Sequence, residues 1–157
     1  RRLYHFHAAA PTARGRQFGY IRDNGALLGD AVNLAAVLFE MQNYNNSAYR
    51  RVVSTIRQIA PFFEDFEFKA GTSDQQIFLN WRERGSDQLF GPHQLSDGTL
   101  RTMCLVTLLM QPEDRLPDLM IVHESELCLH PYALKIVAST FKTTSHHPQL
   151  LRKTKTS

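Results

Sequence analysis

Apolar residues recur at helical spacing in two early segments. In GDAVNLAAVLFEM, Ala31, Leu34, Ala35 and Leu38 share one face, and Asp30 stands where an N-cap belongs. The run NYNNS interrupts that pattern. Ser47 is then the expected cap of a second helix, with the stripe Tyr49, Val52, Val53, Ile56 and Ile59 and an end marked by Pro61. Past this point the period falls to two. Phe66 and Phe68 alternate with polar residues, Ala70-Gly71-Thr72-Ser73 reads as a turn, and Ile77, Leu79 and Trp81 alternate again. That is the pattern of an antiparallel hairpin.

After Gly98, LSDGTLRTMCLVTLLMQ is apolar almost all round, which predicts a buried helix. A polar link, PEDRLP, leads to Leu119-Met120-Ile121-Val122, a buried strand that runs straight into His123-Glu124-Ser125-Glu126. Pro131 opens a further helix through Ala133, Ile136 and Val137 to about Phe141. At the start, Leu3–His7 reads as a strand, and residues 8–27, rich in Ala, Gly, Pro and Arg, read as a long loop. The tail SHHPQLLRKTKTS is polar and basic, with room for a last strand. The closing segments give an α/β pattern with a parallel strand, and the middle does not.

With 157 residues, 43% of them hydrophobic, the chain can build one globular unit around one core. A net charge of +3 permits an anionic partner without arguing for one. Cys104 and Cys128 lie in apolar surroundings in different elements and read as small core residues of a protein in a reducing, cytoplasmic compartment. No apolar run approaches the roughly 18 residues of a membrane span, and no signal peptide is visible. The chain opens on Arg1 without a starting methionine, and its first strand reads as already inside a fold, so a fragment of a longer protein is expected.

The segment after the apolar strand carries five potential metal ligands: His123, Glu124, Glu126, Cys128 and His130. A zinc-protease helix needs His-Glu-x-x-His, and the fifth position here is Leu127. On a continuing strand His123 and Glu124 would point to opposite faces, which is poor for chelation, so no metal site is expected. The pairs His5/His7 and His146/His147 read as satisfied or exposed histidines. LSDGTLR offers different chemistry. Ser96 can cap the following helix and Gly98 lets a ligand approach the backbone. Orphan N–H groups at a helix start form an anion site, although Asp97 is an awkward neighbour for one. An ordinary N-cap on a core helix explains the same residues.

Taken together, LSDGTLR, a buried helix, an apolar strand and ESELCLHP resemble the second half of an ABC-type ATPase head. The likeness is to bacterial AAA-family ATPases of the RecF, SMC and overcoming-lysogenization-defect kind, whose signature motif has the form Leu-Ser-Asp-Gly-Thr-Leu-Arg. One helix later in that family comes a Walker B strand ending Asp-Glu-Pro-Glu-Leu-Gly-Leu-His-Pro. The resemblance extends upstream through YHFH, DAVNLAAVL, IAPFFEDF and LNWRERGSD, nearly the whole chain. It implies the carboxyl-terminal part of a single P-loop NTPase head over residues 1–157, with the signature at about 95–101, the Walker B strand at about 119–124 and a helical and β-hairpin insertion. It further implies ATP and Mg²⁺ as ligands of the parent protein, and two partners: an upstream P-loop half and a second head. Ser96 and Gly98, with Asp97 between them, would meet the γ-phosphate of ATP held by that second head. Thr99 and Arg101 belong to the same motif. Glu124 would polarise the attacking water, with His123, Glu126 and His130 on the Walker B and dimer-interface loop. Work on nucleic acid is an analogy with relatives only.

Three departures stand beside the likeness. No Gly-x-x-x-x-Gly-Lys-Ser/Thr occurs anywhere, so this chain lacks the loop that grips the phosphates. His123 stands where the family anchors Mg²⁺ with an acid, and an imidazole suits a hard, oxygen-preferring cation poorly. Ser125 replaces a proline and Cys128 a glycine. The end also differs: Thr154 could align with the family's sensor segment, which would put Lys155 at the sensor position, while Arg152 and Lys153 are costly in a buried strand. The expectation is therefore an ATPase part with negligible activity alone. The alternative is a degenerate, non-catalytic remnant or a protein-interaction module.

Overall fold

The computed structural model describes residues 3–6, 18–123, 131–141 and 149–153. In chain order the elements are β1 (Leu3–Phe6), β2 (Phe18–Tyr20), α1 (Leu34–Tyr44), α2 (Asn46–Ile59), β3 (Phe63–Ala70), β4 (Gln76–Glu83), β5 (Leu89–Phe90), α3 (Asp97–Leu109), β6 (Leu119–His123), α4 (Pro131–Phe141) and β7 (Gln149–Lys153). The chain is α/β.

Two sheets form. One is parallel, in the order β1-β6-β7, with Leu3 opposite Leu119 and Leu119 opposite Gln149. The other is antiparallel, β2-β4-β3, with β5 added to β4. The hairpin alternation holds on β4, where Ile77, Leu79 and Trp81 are buried. On β3 it is broken: Phe63 and Phe66 are buried, three apart, because the register shifts between Phe63 and Asp65. Phe68 is only partly buried, against Phe39. Gly71 closes the hairpin where a Cβ would stand 2.6 Å from that of Gln76.

α3 explains how the sheets share one core. It contacts α1, α2 and α4, and it is buried from Thr102 through Leu109. Its apolar residues join Phe6 and Met120 of the parallel sheet to Val37, Leu38, Val52 and Ile56 of α1 and α2 in a single cluster that also reaches Phe63 and Trp81. A helix buried all round must be apolar all round, which is the pattern in its sequence. Its two buried threonines satisfy themselves: Thr102 and Thr107 each donate to the carbonyl four residues back, of Gly98 and Met103, at 2.8 Å.

Several expectations change. The presumed loop over residues 8–27 contains β2; residues 7–17 lie outside the described residues. Gly19 is the reason a strand fits there, since a Cβ would come within 3.3 Å of the Ala36 nitrogen of α1. Asp30 does not cap α1. It accepts from Val32 in a turn, while the helix starts at Leu34 after Asn33, whose side chain holds the preceding loop. Ser47 does not cap α2 either. Asn45 does, accepting from the Ala48 N–H at 3.3 Å, and Ser47 donates to that same Asn45 side chain. One residue therefore serves as both end of α1 and start of α2. The tail does form a strand, β7, on the outer side of β6 among the described strands.

Candidate functional site

The best-defined part of the expected site is the start of α3. A short 3-10 turn, Pro92–Gln94, delivers the chain to Leu95, which is buried, and Ser96 follows in extended backbone as the N-cap. Ser96 Oγ accepts from the Thr99 N–H at 3.2 Å and lies 2.8 Å from Thr99 Oγ1. Ser96 and Asp97 are exposed, and Gly98 and Thr99 are half-buried. The helix thus presents its positive end to solvent while the rest of its length is core. In the first turn the Gly98 N–H has no acceptor within the helix, which is what makes such an end receptive to anions. Asp97 in that turn complements the helix dipole and competes with an incoming anion.

The other end of α3 leads to the second motif. A bend at Gln111 and a turn at Glu113–Arg115 carry the chain into β6, the middle strand of the parallel sheet. Met120 is fully buried, and β6 closes on His123, paired in register with Lys153 of β7. Glu124, Glu126, Cys128 and His130 lie outside the described residues, as do Thr154 and Lys155 at the chain's end. Among the described residues no group of three or more His, Cys, Asp or Glu side chains is placed to hold a metal ion. His5 is exposed on β1. Arg101 is half-buried on the first turns of α3.

The structure adds residues that no motif announced. Arg115, just before β6, makes a bidentate pair with Glu40 of α1 at 2.9 Å for both contacts, and also donates to the Asn24 carbonyl at 3.0 Å. The Glu40 hydrogen bonds, ahead of any other influence, raise the Arg115 pKa. Gln111 accepts from the Leu27 N–H at 2.6 Å and donates to the Leu108 carbonyl. Asn33 accepts from the Leu28 N–H and donates to the Asp23 and Ala26 carbonyls. The loop before α1 is therefore tied to the segment that joins α3 to β6. Within this loop Ala31 is buried with a φ of 55°. A non-glycine residue pays for that left-handed conformation, and the surrounding ties hold it there. The contacts of Arg115 with Glu40 and Asn24, and of Gln111 with Leu27, span 75 to 91 residues in sequence, so spacing gave no sign of them.

Two groups beneath the site are silenced by burial. Cys104, free and fully buried in α3, has its thiol pushed up to about 12 by desolvation. Tyr4 of β1 is raised as well, by burial first and then by Cys104 and Asp30, and its hydroxyl has no hydrogen-bond partner among the described residues. A buried thiol with so high a pKa is a packing group and not a nucleophile. No helix among the described residues is long and apolar enough to cross a membrane.

Comparison of the chain with protein-family models, with curated proteins and with solved structures finds no match.

Proposed function

We propose that this chain is the carboxyl-terminal part of an ATP-binding and ATP-hydrolysing head of the ABC type. In this reading the start of α3 meets the γ-phosphate of ATP held by a second head, with Ser96 and Gly98 as donors and Asp97 between them. Glu124, directly after β6, polarises the attacking water. The observation that carries the reading is the exposed, Ser96-capped end of an otherwise buried helix, followed in sequence by the central strand of a parallel sheet. Ligands of open α/β sheets gather outside the carboxyl ends of the strands, where His123 and Glu124 stand in the chain.

The two expected ligands fit unequally. The helix start suits a phosphate oxyanion, because its donors are fixed before the ligand arrives and need no reorganisation. The residue closing β6 is His123, and an imidazole does not suit Mg²⁺. Bound ATP would supply the phosphoanhydride bond; this chain's residues orient the terminal phosphate and the water.

A second reading, a non-catalytic remnant or interaction module, is favoured by His123 in place of an acid and Cys128 in place of a glycine in the motif that the chain resembles. Two experiments separate them. The purified 157 residues should show negligible ATP turnover; ready magnesium-dependent turnover abolished by Glu124→Gln would contradict the division of labour proposed here. In the parent protein, His123→Asp should raise ATP turnover. Unchanged turnover would remove the argument that His123 weakens the metal position. An in-frame P-loop in the coding sequence upstream supports the ATPase reading, and stop codons there support the remnant.

A further inference from the structure

A cavity of about 390 Å³ opens between α2, the end of α1 and the start of β3, on α1, α2 and β3 rather than on the α3 start or β6. Its size falls in the roughly 300–1,000 Å³ range of small-molecule sites. Its lining is mainly polar, with Asn46, Arg50, Ser54, Arg57 and Asp65 around Val53. Positions 46, 50, 54 and 57 fall on one stripe of α2.

Part of this polar surface has a structural use. Arg57 Nε donates to the Glu64 carbonyl at 2.7 Å, and a terminal nitrogen of Arg57 pairs with the Glu64 carboxylate at 3.0 Å. Asp65 Oδ1 accepts from the Tyr49 hydroxyl at 2.7 Å and from the Phe66 N–H at 2.8 Å. These contacts satisfy backbone groups on the outer edge of β3, the kind of cover that edge strands need. They do not use everything present. Arg50 spends only Nε, on Asn46 at 2.8 Å, leaving its terminal nitrogens without a hydrogen bond among the described residues. Asp65 Oδ2 likewise accepts none there. Guanidinium donors and a carboxylate acceptor thus face the same cavity. A guanidinium fork is matched by an oxyanion, and the open acceptor by a hydroxyl donor.

We infer that this groove binds a small hydroxylated oxyanion, a sugar phosphate or a hydroxy acid. Its phosphate or carboxylate sits on Arg50 and the remaining donors of Arg57, and a hydroxyl donates to Asp65. The inference is independent of the ATPase reading, since none of these residues belongs to it.

The test is an amide NMR titration of the full chain at low ionic strength with D-ribose 5-phosphate and, separately, D-gluconate. At least one should give saturable shifts confined to residues 46–57 and 64–66, and the one that binds more tightly identifies the oxyanion. Arg50→Gln should weaken that binding at least about tenfold. Arg51→Gln, which changes an exposed arginine of the same helix outside the cavity, should leave it unchanged. Methyl phosphate, which lacks the carbon-borne hydroxyls, should bind more weakly than ribose 5-phosphate. Absence of saturable shifts with both probes up to about 10 mM overturns the site. Equal losses in the Arg50 and Arg51 variants would reduce it to general charge attraction, and equal affinity for methyl phosphate would overturn the role of Asp65.

Discussion

Ser96 has one role in the fold and a second in the proposed function. As an N-cap it satisfies a helix N–H, so Ser96→Ala should cost about 1 kcal/mol of stability, read from a denaturant melt. As a proposed γ-phosphate donor its loss should also cost activity in the parent protein, and the two effects separate because only the first appears in the isolated chain. Tyr4 gives the opposite expectation. Its buried hydroxyl lacks a partner among the described residues, so Tyr4→Phe removes a desolvation cost and should leave stability unchanged or raise it by up to ~1 kcal/mol. A clear loss would reveal a partner for that hydroxyl. Cys104 fixes a pH dependence. Its folded pKa of about 12 lies above the ordinary 9.0, so the folded state holds the proton more tightly. The stability this supplies is complete below pH 9.0 and is lost as pH rises from 9.0 toward about 12, a window in which Tyr4 and Tyr49 act in the same sense. Urea midpoints should therefore fall above pH 9, and in the native protein Cys104 should resist alkylation at pH 8.

At the scale of elements, ion pairs are worth what their surroundings allow. Arg115 and Glu40 are 25% and 14% exposed and pair through both nitrogens. Breaking them by Arg115→Gln should cost about 1–3 kcal/mol, with most of it appearing as coupling in a double-mutant cycle with Glu40→Gln. Arg84 and Glu64 are 61% and 42% exposed at 3.4 Å, and the same cycle there should give close to zero. The contrast also marks what sequence could disclose. Local devices were legible: the Ser96 cap, the stop at Pro61, the alternation of Ile77, Leu79 and Trp81, and the all-round apolarity of α3. Caps that depend on a neighbour were not. Asn45 displaced Ser47 because α1 and α2 meet over one residue, and a periodicity argument cannot see a joint that short. Strand β2 was missed because its central residue, Gly19, carries no hydrophobic signal; its reason is the close approach of α1. The ties of Arg115 to Glu40 and Asn24, and of Gln111 to Leu27, join residues far apart in sequence, where no pattern operates.

The whole molecule is organised around α3. One cluster joins the parallel sheet, the helices and the hairpin, so unfolding should be a single cooperative transition. Phe63 lies at its hairpin end, fully buried against Phe66 and Trp81, and Phe63→Ala should cost about 3–5 kcal/mol while keeping one transition. Two separate transitions would show that the hairpin and parallel sheet fold independently. The same arrangement leaves the start of α3 exposed and ends β6 at His123, the residue before Glu124 in sequence, and the proposed function rests on these two features. Sequence order alone suggested that pairing. The parallel order β1-β6-β7 supplies its setting, with β6 central among the described strands.

The most direct measurement is ATP turnover by the parent protein, in which this chain is joined in frame to its native upstream sequence, compared with its Ser96→Arg variant. Arginine at that position would fill the approach of the partner's phosphate. Turnover should fall by at least about 100-fold with ATP binding retained, since the donor acts on nucleotide held by the other head. Turnover equal to that of the unaltered protein would contradict the assignment of α3 as the helix that completes the ATP site.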